Sequence, residues 1–162
     1  MRALALLIGA LALSSAALAD VPPGEQPVDP YPQSAANAEA APIQGEGTLR
    51  AFHGREGIGR VVDDLVHRAV ADPRISDIFK NQDLVRLRRT LKEQLCYVLN
   101  GGCAYTGRDM KASHADMGIR QSDFNALVED LQLAMAKERV PFRAQNRLLA
   151  KLAPMERRVV TR

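Results

Sequence analysis

Residues 58–73 read Ile58-Gly59-Arg60-Val61-Val62-Asp63-Asp64-Leu65-Val66-His67-Arg68-Ala69-Val70-Ala71-Asp72-Pro73. Ile58, Val61, Val62, Leu65, Val66, Ala69 and Val70 recur at three- and four-residue steps, the period of one helix face and not of a strand. Asp72-Pro73 ends the run, because the residue before a proline avoids the helical region. Downstream, Ile75, Ile78 and Phe79 suggest a short helical turn before Asn81. A second long helix carries Leu84, Leu87, Leu91, Leu95, Val98 and Leu99 and stops at Asn100-Gly101-Gly102. Residues 103–119 are different: Gly107 and Gly118 interrupt them and apolar residues are sparse. Helix resumes after Ser122, an expected N-cap, with Phe124, Leu127, Val128, Leu131 and Met135 on one face. Val140-Pro141 breaks that helix, and Leu148, Leu149 and Leu152 form a last one that Pro154 closes. No segment alternates as a strand would, so the expected fold class is all-α.

Outside this helical stretch the chain is unlike a folded core. Arg2 is followed by an almost uncharged apolar run, residues 3–17, and Ala17-Leu18-Ala19 supplies a small–x–small cleavage pattern. Residues 1–19 are therefore expected to be a signal peptide, too short and too soon followed by Pro22 and Pro23 for a stable membrane span. Residues 20–47, rich in Pro, Ala, Gln and Gly, are expected to be a disordered linker. The folded domain is then expected over 48–156, with a basic tail at 157–162. Localisation would be periplasmic or secreted.

The 162 residues allow one domain. A net charge of +3, falling to +2 without the leader, argues against a nucleic-acid partner. The clusters Arg86-Arg88-Arg89 and Arg157-Arg158 read as solvated helix faces. Cys96 and Cys103 are the whole cysteine inventory. In an exported protein a Cys96–Cys103 disulfide closing a small loop is the working expectation, with two separate thiols as the alternative. Two cysteines alone make a poor zinc site.

His114 stands in the irregular middle segment, and a neutral imidazole is a strong axial ligand for haem iron. A lone histidine says little, but its surroundings say more. The run Tyr105-Thr106-Gly107-Arg108-Asp109-Met110-Lys111-Ala112-Ser113-His114, then Gly118-Ile119 and Phe124, resembles the proximal segment of group I truncated haemoglobins. That family carries a Tyr-Thr-Gly turn, Met-Lys-x-x-His and Gly-Ile. The resemblance runs from about Gly54 to Pro154 and includes Val61-Val62-Asp63-Asp64, Ala71-Asp72 and Phe79. It implies a shortened globin fold, a two-over-two helical sandwich around haem b, with His114 as the proximal iron ligand. By the same resemblance Phe79, Leu87, Leu91, Leu95, Phe124 and Leu127 would line the pocket, with Phe79 on the haem face. Lys111 and Arg86 would meet the haem propionates.

Two departures bear on function. Family members often place a tyrosine on the first long helix to donate a hydrogen bond to an oxygen ligand; the matching residue here is Val66. A helping glutamine on the next long helix is matched by Leu91. His67, one residue from Val66, could enter the pocket by a register shift, and His53 replaces one of the paired glycines that precede the first long helix in the family. The expected function is a haem globin that reversibly binds O2, CO or NO, of oxygen-binding or carrier type. Haem-dependent NO dioxygenation or peroxide turnover, with a redox partner, is one alternative; a haem-free helical binding module is another.

Overall fold

The computed structural model describes residues 21–162, so the expected leader at 1–19 lies outside the described residues. Helices follow one another as α1 (Gly47–Ala51), α2 (Gly54–Ala71), α3 (Ser76–Phe79), α4 (Leu84–Val98), α5 (Met110–Ser113), α6 (Gln121–Lys137), α7 (Phe142–Leu152) and α8 (Glu156–Val159), with short 3-10 turns at Ala35–Ala38 and Ala153–Met155. Among the described residues there is no strand.

The 58–73 pattern forms α2 as its period dictates. Ile58, Val61, Val62, Leu65, Val66 and Ala69 are buried, and the helix packs against both α4 and α6. Val70 departs from the expectation and is exposed. At about 100° per residue it sits on the outer rim of the stripe, beyond the reach of α4 and α6. The main core joins this face of α2 to Phe52, Leu95, Val98, Leu99, Leu131, Met135 and Leu148.

Helix ends are set by local chemistry. Asp83 caps α4 by accepting from the Val85 and Arg86 N–H groups. The C-terminus of α4 closes as a Schellman motif: Asn100, at φ 63°, donates to the Tyr97 carbonyl and Gly101 N–H donates to that of Cys96. α6 begins two residues earlier than expected. Its cap is Arg120, whose backbone N–H donates to the Asp123 carboxylate (2.9 Å), and Ser122 lies within the helix. Pro141 stands just before α7 and its carbonyl accepts from Ala144 and Gln145. Pro154 does not end the fold: α8 follows, Val159 is buried, and the N–H groups of Thr161 and Arg162 both donate to the Ile119 carbonyl.

The segment before α1 also departs from expectation. In place of a disordered linker, residues 21–46 lie along α4 and the 103–110 loop. Ile43 N–H donates to the Val98 carbonyl (2.8 Å), Tyr31 Oη to that of Thr106 (2.8 Å), and Asn37 Nδ2 to that of Gly107 (3.1 Å). Ala38 and Ile43 are buried, and the Glu25 side chain is only 1 % exposed. The anchors are single residues spaced irregularly along an extended strap, so no period betrays them.

Candidate functional site

The segment around His114 is built on α4. Arg89 pairs with Glu93 (2.8 Å) and donates to Thr106 Oγ1 (2.6 Å), while Glu93 accepts from both the backbone N–H (2.9 Å) and the hydroxyl (2.7 Å) of Thr106. This pins the Tyr105-Thr106-Gly107 turn to the helix. Tyr105 folds back over Gly107 and donates to the Arg108 carbonyl (2.9 Å); a side chain on Gly107 would meet the phenol oxygen at 2.3 Å. Only glycine fits under that ring. Burial pushes the Tyr105 phenol up to about 12, so it stays a neutral donor.

Asp109 then caps α5 by accepting from Ala112 N–H (2.9 Å), and Glu39 of the strap accepts from Met110 N–H (3.2 Å). His114 follows the last turn of α5. Its Nδ1 lies 2.7 Å from the Met110 carbonyl oxygen, which as an acceptor requires Nδ1 to carry the proton. The lone pair of a neutral ring is thereby placed on Nε2, the arrangement a metal-ligating histidine adopts.

The apolar residues expected around it fall into two groups. Val66 and Leu95 are fully buried in the contact of α2, α4 and α6. Phe79, Leu87, Leu91, Phe124 and Leu127 are only half-buried, large and apolar though they are. Leu87 and Leu91 pack on the main core; Phe79 and Leu127 pack on a small cluster with Ala69, Ile75 and Ala126; Phe124 packs on Met110 and Ile119. Leu127 and Ile78 each join two of these clusters, so a connected apolar surface runs from α4 across α3 and α6 to the His114 segment. A flat, largely apolar group whose metal takes a nitrogen ligand would suit such a surface, and haem is such a group.

The polar residues are distributed otherwise than expected. Lys111 is exposed and makes no ion pair among the described residues, as a propionate contact requires. Arg86 is not free: it pairs with Glu25 (3.0 Å) and also donates to the Gln26 carbonyl. Arg89 reaches the same carboxylate, so the Arg86-Arg88-Arg89 cluster is not the solvated face its charge suggested. The two guanidiniums, Arg89 foremost, hold the Glu25 carboxyl below the usual range against the opposing effect of burial. His67 is exposed beside Asp64, Lys137 and Glu138, and His53 is exposed with Nε2 3.2 Å from the Glu138 carbonyl. Neither histidine faces the apolar surface. Cys96 and Cys103 are joined in a disulfide. Sequence reasoning missed Glu25 and Glu39, whose partners lie far along the chain, and Glu93, whose hold on Thr106 spacing does not reveal.

A family described as bacterial-like globin matches residues 50–161. The group 1 truncated hemoglobin of Nostoc commune is 32% identical over 83 residues, covering 51% of this chain and 70% of that protein. That of Mycolicibacterium paratuberculosis is 29% identical over 108 residues, covering 67% and 79%. Among solved structures, the truncated hemoglobin of Tetrahymena pyriformis superposes with a TM-score of 0.68 at 20% identity, over 71% of this chain and 98% of that one. The 2/2 hemoglobin of Synechococcus gives 0.66 at 21% identity, over 71% and 98%.

Proposed function

Since this chain belongs to the bacterial-like globin family and is a haem-binding truncated globin, we propose that His114 is its proximal iron ligand and that it exchanges small diatomic gases rapidly. The fold is the two-over-two helical globin fold. The observation that carries the reading is the 2.7 Å contact of His114 Nδ1 with the Met110 carbonyl, which leaves the Nε2 lone pair available to a metal.

Haem b, when bound, would be held through His114 and would supply an iron able to bind a small gas. The remaining work belongs to this chain. Met110 fixes the tautomer and tilt of His114. Phe79, Leu87, Leu91, Phe124 and Leu127 would keep water from the bound group, and Lys111 would offer its carboxylates a charge-assisted contact. Val66 and Leu91 carry no hydrogen-bond donor, and His53 and His67 are turned to solvent. An oxygen ligand held by no donor forgoes about 1.5–3 kcal/mol of charge-assisted stabilisation, which is roughly one to two decades in release rate. Rapid exchange, with CO bound well and oxygen weakly, is the consequence. Export to an oxidising compartment is part of the same reading, supported by the apolar start of the sequence and the Cys96–Cys103 disulfide.

The visible spectrum of the reduced, ligand-free protein beside that of His114→Ala tests the assignment. The expected result is a five-coordinate haem spectrum that the substitution abolishes or shifts to weak ligation. An unchanged spectrum in the variant refutes the assignment.

A further inference from the structure

On the far side of α4 from the core, a groove of about 510 Å³ opens directly over the disulfide. Its walls are Arg55, Arg88, Arg89 and Lys92 with one carboxylate, Glu93, and its floor is Val85 with Cys96 and Cys103. Globin chemistry at His114 makes no use of it. Cys96 is buried, whereas Cys103 is partly exposed. The Cys96 sulfur is wedged against the Schellman turn, where a side chain on Gly101 would meet it at 2.7 Å. Arg55 Nε donates to the Gly101 carbonyl (2.9 Å), and its guanidinium lies over Gly102, next to Cys103. Arg89 is committed to Glu25 and Glu93; Lys92 (2.8 Å) and, more loosely, Arg88 (3.7 Å) pair with Asp63, which does not line the groove. Arg55 makes no ion pair among the described residues, so the groove keeps a positive balance beside the partly exposed Cys103.

From this juxtaposition of cations and an accessible disulfide sulfur we propose that the groove is a thiol–disulfide exchange site for small anionic thiols. The incoming thiolate attacks Cys103 Sγ, forming a mixed disulfide there, and the Cys96–Cys103 bond breaks with its electron pair leaving on Cys96 as thiolate. A second thiolate attacks the reagent sulfur of the mixed disulfide, releasing Cys103 as thiolate and the reagent as its own disulfide. Two thiols are oxidised, one protein disulfide is reduced, and the thiol protons pass through solvent to the two cysteines. The cations raise the local concentration of a reagent whose carboxylates are negative, and they favour the thiolate over the thiol. The reverse sequence re-forms the bond from an anionic disulfide. Opening it frees the start of the 103–110 loop, which leads to His114.

The test compares reduction of the full chain by mercaptosuccinate, 2-mercaptoethanol and cysteamine, with alkylation and mass analysis of quenched samples. The reading is the ratio of the anionic to the cationic rate, compared between wild type and the Arg55→Gln/Lys92→Gln double variant, so that intrinsic thiol reactivities cancel. We expect that ratio to fall roughly tenfold in the double variant, as loss of a focusing field predicts. In wild type it should shrink likewise at high salt. Trapped mixed disulfide should map to Cys103. The 2-mercaptoethanol rate monitors folding of the variant, and the salt series needs no variant. A ratio indifferent to both salt and substitution, or reagent trapped on Cys96, overturns the proposal.

Discussion

The Nδ1 atom of His114 lies 2.7 Å from the carbonyl oxygen of Met110, so the first residue of α5 holds the imidazole that follows its last. A four-residue helix has little stability of its own. Its cap therefore matters: Asp109 accepts from Ala112 N–H, and losing such a cap costs about 1 kcal/mol. Asp109→Ala is expected to speed haem loss to an acceptor globin roughly fivefold, at unchanged absorption maxima. An unchanged rate of loss would show that α5 is held by other contacts.

Glu25 is the buried end of a three-way ion pair with Arg89 and Arg86, whose side chains are 29 % and 19 % exposed. Removing the carboxylate leaves two partly desolvated cations. Complete burial would make this cost about 3–5 kcal/mol, and partial exposure of the arginines brings it to about 2 kcal/mol. Glu25→Gln should lower the urea midpoint and make residues 21–46 newly sensitive to protease. Because the folded-state pKa is depressed, the contribution is complete above the unfolded-state glutamate pKa and fades as pH falls through the folded-state value. Wild type and variant should converge in stability in acid, below the usual glutamate range.

How far the sequence foretold this molecule depends on whether a residue acts through its period or through a distant partner. α2 and α4 were legible because their buried faces repeat every three to four residues. The strap was not. Glu25 meets Arg89 across 64 residues and Tyr31 meets Thr106 across 75, and no local pattern records such pairs. Arg86 was misread for the same reason: its partner stands in a stretch that looked like linker.

Asp130 is buried in α6 with its Oδ2 unpartnered, and burial, with the nearby Asp72 charge, raises its pKa. A raised carboxyl pKa costs nothing below the unfolded-state value, and the penalty grows as pH rises through the folded-state value. Asp130→Asn is therefore expected to stabilise the fold by about 1 kcal/mol at neutral pH. The gain in Tm should shrink toward pH 4. A variant less stable at neutral pH would mean that the ionised carboxylate is satisfied.

Arg139 closes α6 at φ 60°, with its N–H on the Ala136 carbonyl and that of Val140 on Met135. This is the left-handed position of a Schellman motif, where glycine is free of the strain a side chain brings. Arg139 is exposed and makes no ion pair among the described residues, so little contact is lost on truncation. Arg139→Gly should raise stability by about 1 kcal/mol in urea melts.

Leu91 tests the donor-free side of the proposed pocket. It lies on α4, half-buried against the main core, seven residues before Val98 and on the same face as Leu84, Leu87 and Leu95. Glutamine has nearly the same length and adds an amide donor where the apolar surface offers none. Oxygen on ferrous haem draws negative charge and CO draws little, so the amide should discriminate between them. A single bond of about 1.5 kcal/mol slows release roughly tenfold. Leu91→Gln is accordingly expected to slow oxygen dissociation by that factor in stopped flow, with the CO rate changed much less. Equal slowing of both gases would point to steric closure. No slowing of oxygen would place Leu91 away from the gas, and the fast exchange would then need a cause other than an apolar surface at this position.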